Sequence, residues 1–276
     1  MNQLYEGIGI SKQAVHQYER RQIVFDSRLT ELMSEADDIR RDHPGCGVEK
    51  MYYTLKPNFI GRDRFVETFM QLGYRLKRKK NYRRTTIAGK IYYPNKIKGI
   101  EINAPSVVWQ SDITYYKVGD KFYYAVFIID VYTKKIVGYA VSDHMRGTAN
   151  LKALRMALKE NKAPRIHHSD RGSQYTYKAY PDLLKSQTTT ISMALSAQDN
   201  AYAERINRTI KEEYLDHWKP QTFNQLKGQV KKSVNNYNNK RSHCHLKKRS
   251  PNDFINYWST LKTEERPIIT IFDNEN

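Results

Sequence analysis

Cysteine is scarce in this 276-residue chain: Cys46 and Cys244 are the only two. Two cysteines build neither a disulfide framework nor a cysteine-rich zinc site. Long apolar runs are missing as well. The longest, such as Tyr123 to Ile129, have strand length, far short of the roughly 20 residues a spanning helix requires; no membrane partner is expected. The N-terminal residues include no apolar segment of secretory-signal type, so a cytoplasmic protein is expected. Acidic residues are the other shortage. Asp and Glu number 29 against 47 Lys and Arg, a net charge of +18. A charge of that size works against compactness and calls for a polyanionic partner, with nucleic acid the obvious one. Disorder is excluded, because 39% hydrophobic and 12% aromatic residues can support a packed core.

What is present falls into three zones. Residues 1–95 read as basic helices separated by Gly and Pro, a helix-turn-helix-like DNA-binding region. Ser11 is a candidate N-cap for a short helix that would present Gln13, His16 and Gln17. A second unit spans 48–76: a helix through Met51, Tyr52 and Leu55, a turn at Pro57-Asn58, then a helix from Gly61 to Gly73. On that helix Phe65, Phe69 and Leu72 form the expected buried stripe, which leaves Arg62 and Arg64 outside as candidates for contacting bases. A plain helical hairpin with solvated charges is the competing reading. The run Arg75, Lys77, Arg78, Lys79, Lys80, Arg83 and Arg84, interleaved with Tyr74 and Tyr82, follows at once. It is expected to contact phosphates, the alternative being a solvated linker.

Residues 96–218 alternate strand and helix patterns. Asp112 to Tyr116 is a first strand, Val118-Gly119-Asp120-Lys121 a hairpin turn, and Phe122 to Ile129 a strand apolar enough to be buried on both faces. A strand at 136–141 and a helix at 149–160 follow. A short strand then ends at Ser169-Asp170, with a helix at 179–185, a strand at 188–193 and a long helix at 198–217 beyond it. Three antiparallel strands and a helix, then strand, helix, strand, helix, describe a mixed sheet covered by helices. Residues 219–276 read as a basic, helical C-terminal extension.

Three acids stand out in this order of elements. Asp is disfavoured inside a strand, yet Asp112 precedes an apolar strand. Asp170 ends a strand, where ligand sites of α/β sheets gather, and opens the small, polar loop Arg171-Gly172-Ser173-Gln174-Tyr175. Glu204 lies near the start of the last long helix. Its i+4 and i+7 positions, Arg208 and Lys211, share its face with Asn207 close by, while Ala203, Ile206, Ile210 and Tyr214 form a separate arc able to pack on the sheet. Asp199 is read as the N-cap of that helix. Carboxylates on separate elements are the donors that hard divalent cations take.

Three motifs, Trp109-Gln110-Ser111-Asp112-Ile113-Thr114-Tyr115, His168-Ser169-Asp170-Arg171-Gly172-Ser173-Gln174-Tyr175 and Ser196 to Glu204, carry a resemblance. The chain resembles the second-reading-frame transposases of the insertion-sequence-three family. The 33 residues between Asp170 and Glu204 are close to that family's spacing, and the likeness extends to His43-Pro44-Gly45-Cys46-Gly47, Tyr237-Asn238 and Ser250-Pro251. The family's tail motif, Arg-Pro-His, reads Arg241-Ser242-His243 here. The resemblance implies an α/β, RNase H-like (retroviral integrase) catalytic core with a mixed five-stranded sheet. It also implies Asp112, Asp170 and Glu204 as catalytic metal ligands for two Mg2+ ions, which Mn2+ can replace. The expected partners are double-stranded DNA (terminal inverted repeats and target), further copies of the chain as a dimer or larger assembly on DNA, and an upstream-frame protein or fusion. Gln174 and Tyr175 are candidates for contacting the DNA end, Arg208 and Lys211 for holding a strand beside the metals, and His168 for orienting the loop or touching phosphate. His168-Ser169-Asp170-Arg171 also fits the His-x-x-Arg pattern of a tyrosine recombinase, but the strand pattern argues against it. A binding-only regulator leaves the three acids unexplained.

Overall fold

A computed structural model describes residues 11–76 and 92–271. The chain divides into two compact units, residues 1–76 and 77–276. The boundary at Leu76 falls inside the zone that the sequence reads as one DNA-binding region, and residues 219–271 pack with the second unit.

The first unit contains α1 (Lys12–Asp42), α2 (Val48–Leu55) and α3 (Arg62–Gln71). Ser11 caps α1 as expected, its hydroxyl accepting the Ala14 N–H at 3.1 Å. The helix it opens is not short: it runs for 31 residues, because neither Pro nor Gly interrupts the chain before Pro44-Gly45. Leu32 and Ala36 of α1 pack with Met51, Phe65 and Phe69 of α2 and α3. Leu72 departs from the expected stripe. α3 ends at Gln71 and Gly73 turns the chain with φ +88, so Leu72 is 43% exposed. Tyr74 takes its place, packing edge-on against Phe69.

The second unit is built on a five-stranded mixed sheet: β2 (Val108–Val118), β3 (Lys121–Asp130), β4 (Ile136–Ser142), β5 (Ile166–Ser169) and β6 (Thr190–Met193), after a short β1 (Glu101–Ile102). Their order is β4-β3-β2-β5-β6, with β2, β3 and β4 antiparallel and β2, β5 and β6 parallel. Both faces are covered, hence the near-continuous apolar run of β3. α4 (Gly147–Glu160) and α5 (Ala179–Ser186) cover one face, where Ala153 and Ala157 press so closely on Gly138 of β4 that no side chain fits there. α6 (Ala201–Ile210) and α7 (Phe223–Asn239) cover the other: Ile206, Ile210, Leu226 and Val230 pack on Phe127 and Ile129. A π-helical turn, Lys211–Leu215, continues α6 into a final turn Asp216–Trp218. α8 (Pro251–Thr260) and β7 (Ile269–Thr270), the latter paired with β1, close a third core around Tyr132 and Phe254.

Candidate active site

The parallel pairing of β2 with β5 ends at Ser111 opposite Ser169, so the next residue on each strand is one of the two aspartates. Asp112 Oδ1 accepts the Ile113 N–H at 2.9 Å, and Oδ2 accepts the Asn207 side-chain amide at 2.7 Å. Asn207 lies one helical turn beyond Glu204, so this bond ties the helix of the third acid to the first. Asp170 Oδ1 accepts the Gly172 N–H at 3.0 Å. A Cβ at position 172 would come within 2.8 Å of Gln174 Oε1 and 3.0 Å of Asp170 Oδ1, so a larger residue there would push these side chains aside.

The electrostatics reflect this gathering of acids. Burial pushes the Asp112 carboxyl up to about 8, and the negative charges of Asp170 and Glu204 add to the rise, against the pull of the Ile113 and Asn207 hydrogen bonds. Glu204 is also raised, by burial first; Arg208 opposes the rise and Asp170 adds to it. Lys211 stands 4.6 Å over the Tyr115 ring. Burial lowers its ammonium, while Asp216 and Asp112 hold it up. The structure therefore brings together Asp112, Asp170, Glu204, Asn207, Arg208 and Lys211. Among the described residues, no three His, Cys, Asp or Glu side chains stand close enough to form a ready-made metal cage. The donor set is nevertheless of the right chemistry, since three hard oxygen ligands that repel one another suit a divalent cation.

Other expected site residues are placed differently. Tyr175 is 1% exposed and shares a 3.0 Å hydrogen bond with the Ser111 hydroxyl; it supports the floor of the site and cannot meet a DNA end. His168 is buried too, with Nδ1 2.8 Å from the Ser192 hydroxyl, which excludes contact with phosphate. Gln174 is half-buried, its amide donating to the Met145 carbonyl at 3.1 Å. Asp199 is not an N-cap: it is the third residue of a 3-10 turn, Ala197–Asn200, that leads into α6, and its carboxylate accepts the Leu195 and Ser196 N–H groups, closing a capping box with the N-cap Ser196. In the other unit, Arg62 is exposed and paired with Asp63 at 2.7 Å, and Arg64 stacks 4.5 Å over Phe25. Lys77, Arg78, Lys79 and Lys80 lie outside the described residues. Sequence reasoning missed two buried polar residues beside the acids, Gln110 and Asn200. A glutamine inside an apolar strand was the signal available for the first.

Comparison with known proteins places the chain in a family. The family described as "Integrase core domain" matches residues 102–197, and a second family of the same description matches residues 187–251. The insertion element IS600 uncharacterized 31 kDa protein of Shigella sonnei is 33% identical over 219 residues, covering 75% of this chain and 80% of that protein. The transposase for insertion sequence element IS904 of Lactococcus lactis subsp. lactis (strain IL1403) is 34% identical over 170 residues, covering 59% and 67%. This chain belongs to the insertion-sequence-three family of transposases. As such it is a polynucleotidyl transferase of the Asp-Asp-Glu type, and its substrate is DNA. The transposase shares its fold with the simian T-cell lymphotropic virus intasome in complex with PP2A regulatory subunit B56 gamma. The TM-score is 0.51 at 13% identity, over 65% of this chain and 64% of that one. Among the described residues, no helix of the transposase is long and apolar enough to cross a membrane.

Proposed function

We propose that the transposase cuts DNA at the terminal inverted repeats of its element and joins the freed ends to target DNA, with Asp112, Asp170 and Glu204 as its catalytic triad. The observation that carries this reading is the Asn207–Asp112 bond at 2.7 Å beside the Ser111–Ser169 register, which together put three acids from separate elements at one end of the sheet. These carboxylates would hold two Mg2+ ions, or Mn2+ in their place; when bound, such ions stabilise the attacking and leaving oxygens of an in-line displacement at phosphorus. Water as nucleophile releases a 3′-OH, and that 3′-OH as nucleophile joins the end to target DNA with no covalent link to the protein. Asn207 orients Asp112 during these steps. Arg208 and Lys211 hold the scissile strand against the triad, Gln174 borders it, and Arg62, Arg64 and the run Lys77 to Lys80 hold the flanking duplex.

Both ends of an element must be cut and joined together, which calls for two or more copies of the chain on DNA. An upstream-frame protein, fused or separate, would complete the assembly on chromosomal DNA in the bacterial cytoplasm. The test is cleavage and strand transfer on the element's terminal DNA with and without Mg2+. Asp112→Asn, Asp170→Asn and Glu204→Gln should each abolish both reactions and leave gel-shift affinity within a few-fold. Near wild-type cleavage by any one of them removes that residue from the triad.

A further inference from the structure

The first turn of α6, where Glu204 stands, lacks the cap that helices usually provide for themselves. A helix begins with N–H groups that have no partner inside it, and the side chain of the N-cap residue commonly accepts those of the second and third positions. Asn200 is the N-cap of α6 but makes no such bond. Its side-chain amide instead donates to the Ser111 carbonyl at 3.1 Å.

The missing acceptor comes from β2. Gln110, fully buried, turns its Oε1 to the N–H groups of Tyr202 and Ala203, at 3.1 and 3.3 Å. Its Nε2 donates to the Asp199 carbonyl at 3.2 Å. Every polar atom of this side chain is therefore spent on the segment that leads into Glu204.

The spacing of these anchors is informative. Gln110 and Asp112 project from the same side of β2, two residues or roughly 6.7 Å apart. They meet α6 at Ala203 and Asn207, four residues or roughly 6 Å apart along a helix. The two intervals match, so helix and strand are fastened at two points about one helical turn apart. Glu204 lies between them. The apolar contacts of Ile206 and Ile210 are non-directional and resist sliding or rotation poorly; the two polar anchors oppose both.

We propose that Gln110 is a positioning residue for strand cleavage, fixing the depth and rotation at which Glu204 faces Asp112. This inference rests on the triad reading above. The experiment compares wild type with Gln110→Met, similar in length but without the polar atoms, and Gln110→Asn, too short by one methylene to keep all three bonds. The probe is a duplex carrying the terminal inverted repeat that flanks the gene. Single-turnover cleavage is followed across a Mg2+ titration, well below each variant's melting temperature, with gel-shift affinity measured alongside.

Because small misplacements cost about a hundredfold in rate, Gln110→Met should cleave about a hundredfold more slowly. It should also need about tenfold more Mg2+ for half-saturation, with affinity for the duplex within about twofold. Gln110→Asn should fall between. A purely structural role would lower the melting temperature and leave the Mg2+ requirement of the folded protein unchanged; that result overturns the proposal. Should Gln110→Met fail to fold, an Asn variant with a wild-type rate and Mg2+ requirement overturns it equally. Glu204→Gln, run in parallel, separates the two readings. If it cleaves, the triad assignment fails; if it is inert while Gln110→Met is normal, only the role of Gln110 fails.

Discussion

Breaking the ion pair between Arg241 and Glu213 should cost this transposase more stability than removing any surface charge. The two side chains meet side-on, Arg241 Nε donating to Glu213 Oε2 at 2.7 Å and Nη2 to Oε1 at 2.6 Å. They are 13% and 17% exposed, and Arg241 also lies 5.5 Å from the centre of the Tyr237 ring. Removing one member of a largely buried pair leaves the other's charge poorly compensated, at about 3–5 kcal/mol. In a unit of this size each kcal/mol moves the melting temperature by about 2–4 °C. Arg241→Ala should therefore melt roughly 6–20 °C below wild type in a circular-dichroism scan, and the difference should persist at high salt, where exposed pairs are screened. Lys117→Ala is the internal control. Its partner Asp120 is fully exposed and Lys117 more than half so, and such pairs contribute at most about 1 kcal/mol. The double variant Glu213→Leu/Arg241→Met should recover much of the loss, since apolar replacement of a buried pair is often neutral. Equal melting of Arg241→Ala and Lys117→Ala would refute the argument and place the pair in water.

Asp112 is raised from 3.8 to about 8, so in the divalent-free protein it favours folding fully below about pH 4, and that contribution is lost as pH rises through about 8. Asp112→Asn should accordingly out-melt wild type at pH 8–9 without divalent ions, by on the order of 5 kcal/mol, with the gain vanishing near pH 4; a pH-independent difference would contradict the raised carboxyl. Neutralising Lys77, Arg78, Lys79 and Lys80 should flatten the salt dependence of DNA binding by about 0.9 logarithmic units for each phosphate that the protein no longer neutralises, and an unchanged slope would make the run a linker. Lys211→Ala should keep gel-shift affinity but cleave about a hundredfold more slowly at saturating protein. Weaker affinity with normal cleavage would turn its helix face away from the triad.

The acids drew attention because each breaks a local rule: one carboxylate sits inside a strand, one directly follows a strand, and one rides a helix face among cations. The strands of the mixed sheet were legible from alternation and turn chemistry, with small departures at their ends. What escaped depends on partners distant in sequence. Tyr175 stands in a loop of small polar residues and reads as exposed, but Ser111, 64 positions earlier, offers its hydroxyl a partner and draws the ring inside. Gln110 shows nothing local of the helix it caps 92 residues later. Leu72 fits the helical stripe until Gly73 ends the helix first. The basic tail reads as an extension because Lys227, Lys231 and Lys232 mask the apolar face of α7, although Leu226, Val230 and Val234 lie deep in the core.

The π turn at Lys211–Leu215 makes this part of the molecule more tolerant of a change in the count of residues than the regular helix before it. A π turn holds one residue more than the α-helical turn it replaces, and each residue of an α-helix advances the direction of its side chains by roughly 100°. Upstream of the turn Asn207 meets Asp112, and at its first residue Lys211 stands over Tyr115; further on, Glu213 faces Arg241, and the Leu215 carbonyl accepts the Tyr116 hydroxyl at 2.9 Å. Deleting one residue here would let the segment relax to regular α-helix and leave the upstream face in place. Residues beyond the turn would keep nearly their present facing, because the wide turn sweeps about the same angle as an α-helical turn with one residue fewer. A one-residue deletion in this turn should thus be tolerated better than one in the regular helix between Glu204 and Asn207, where a swing of roughly 100° would take Asn207 off Asp112.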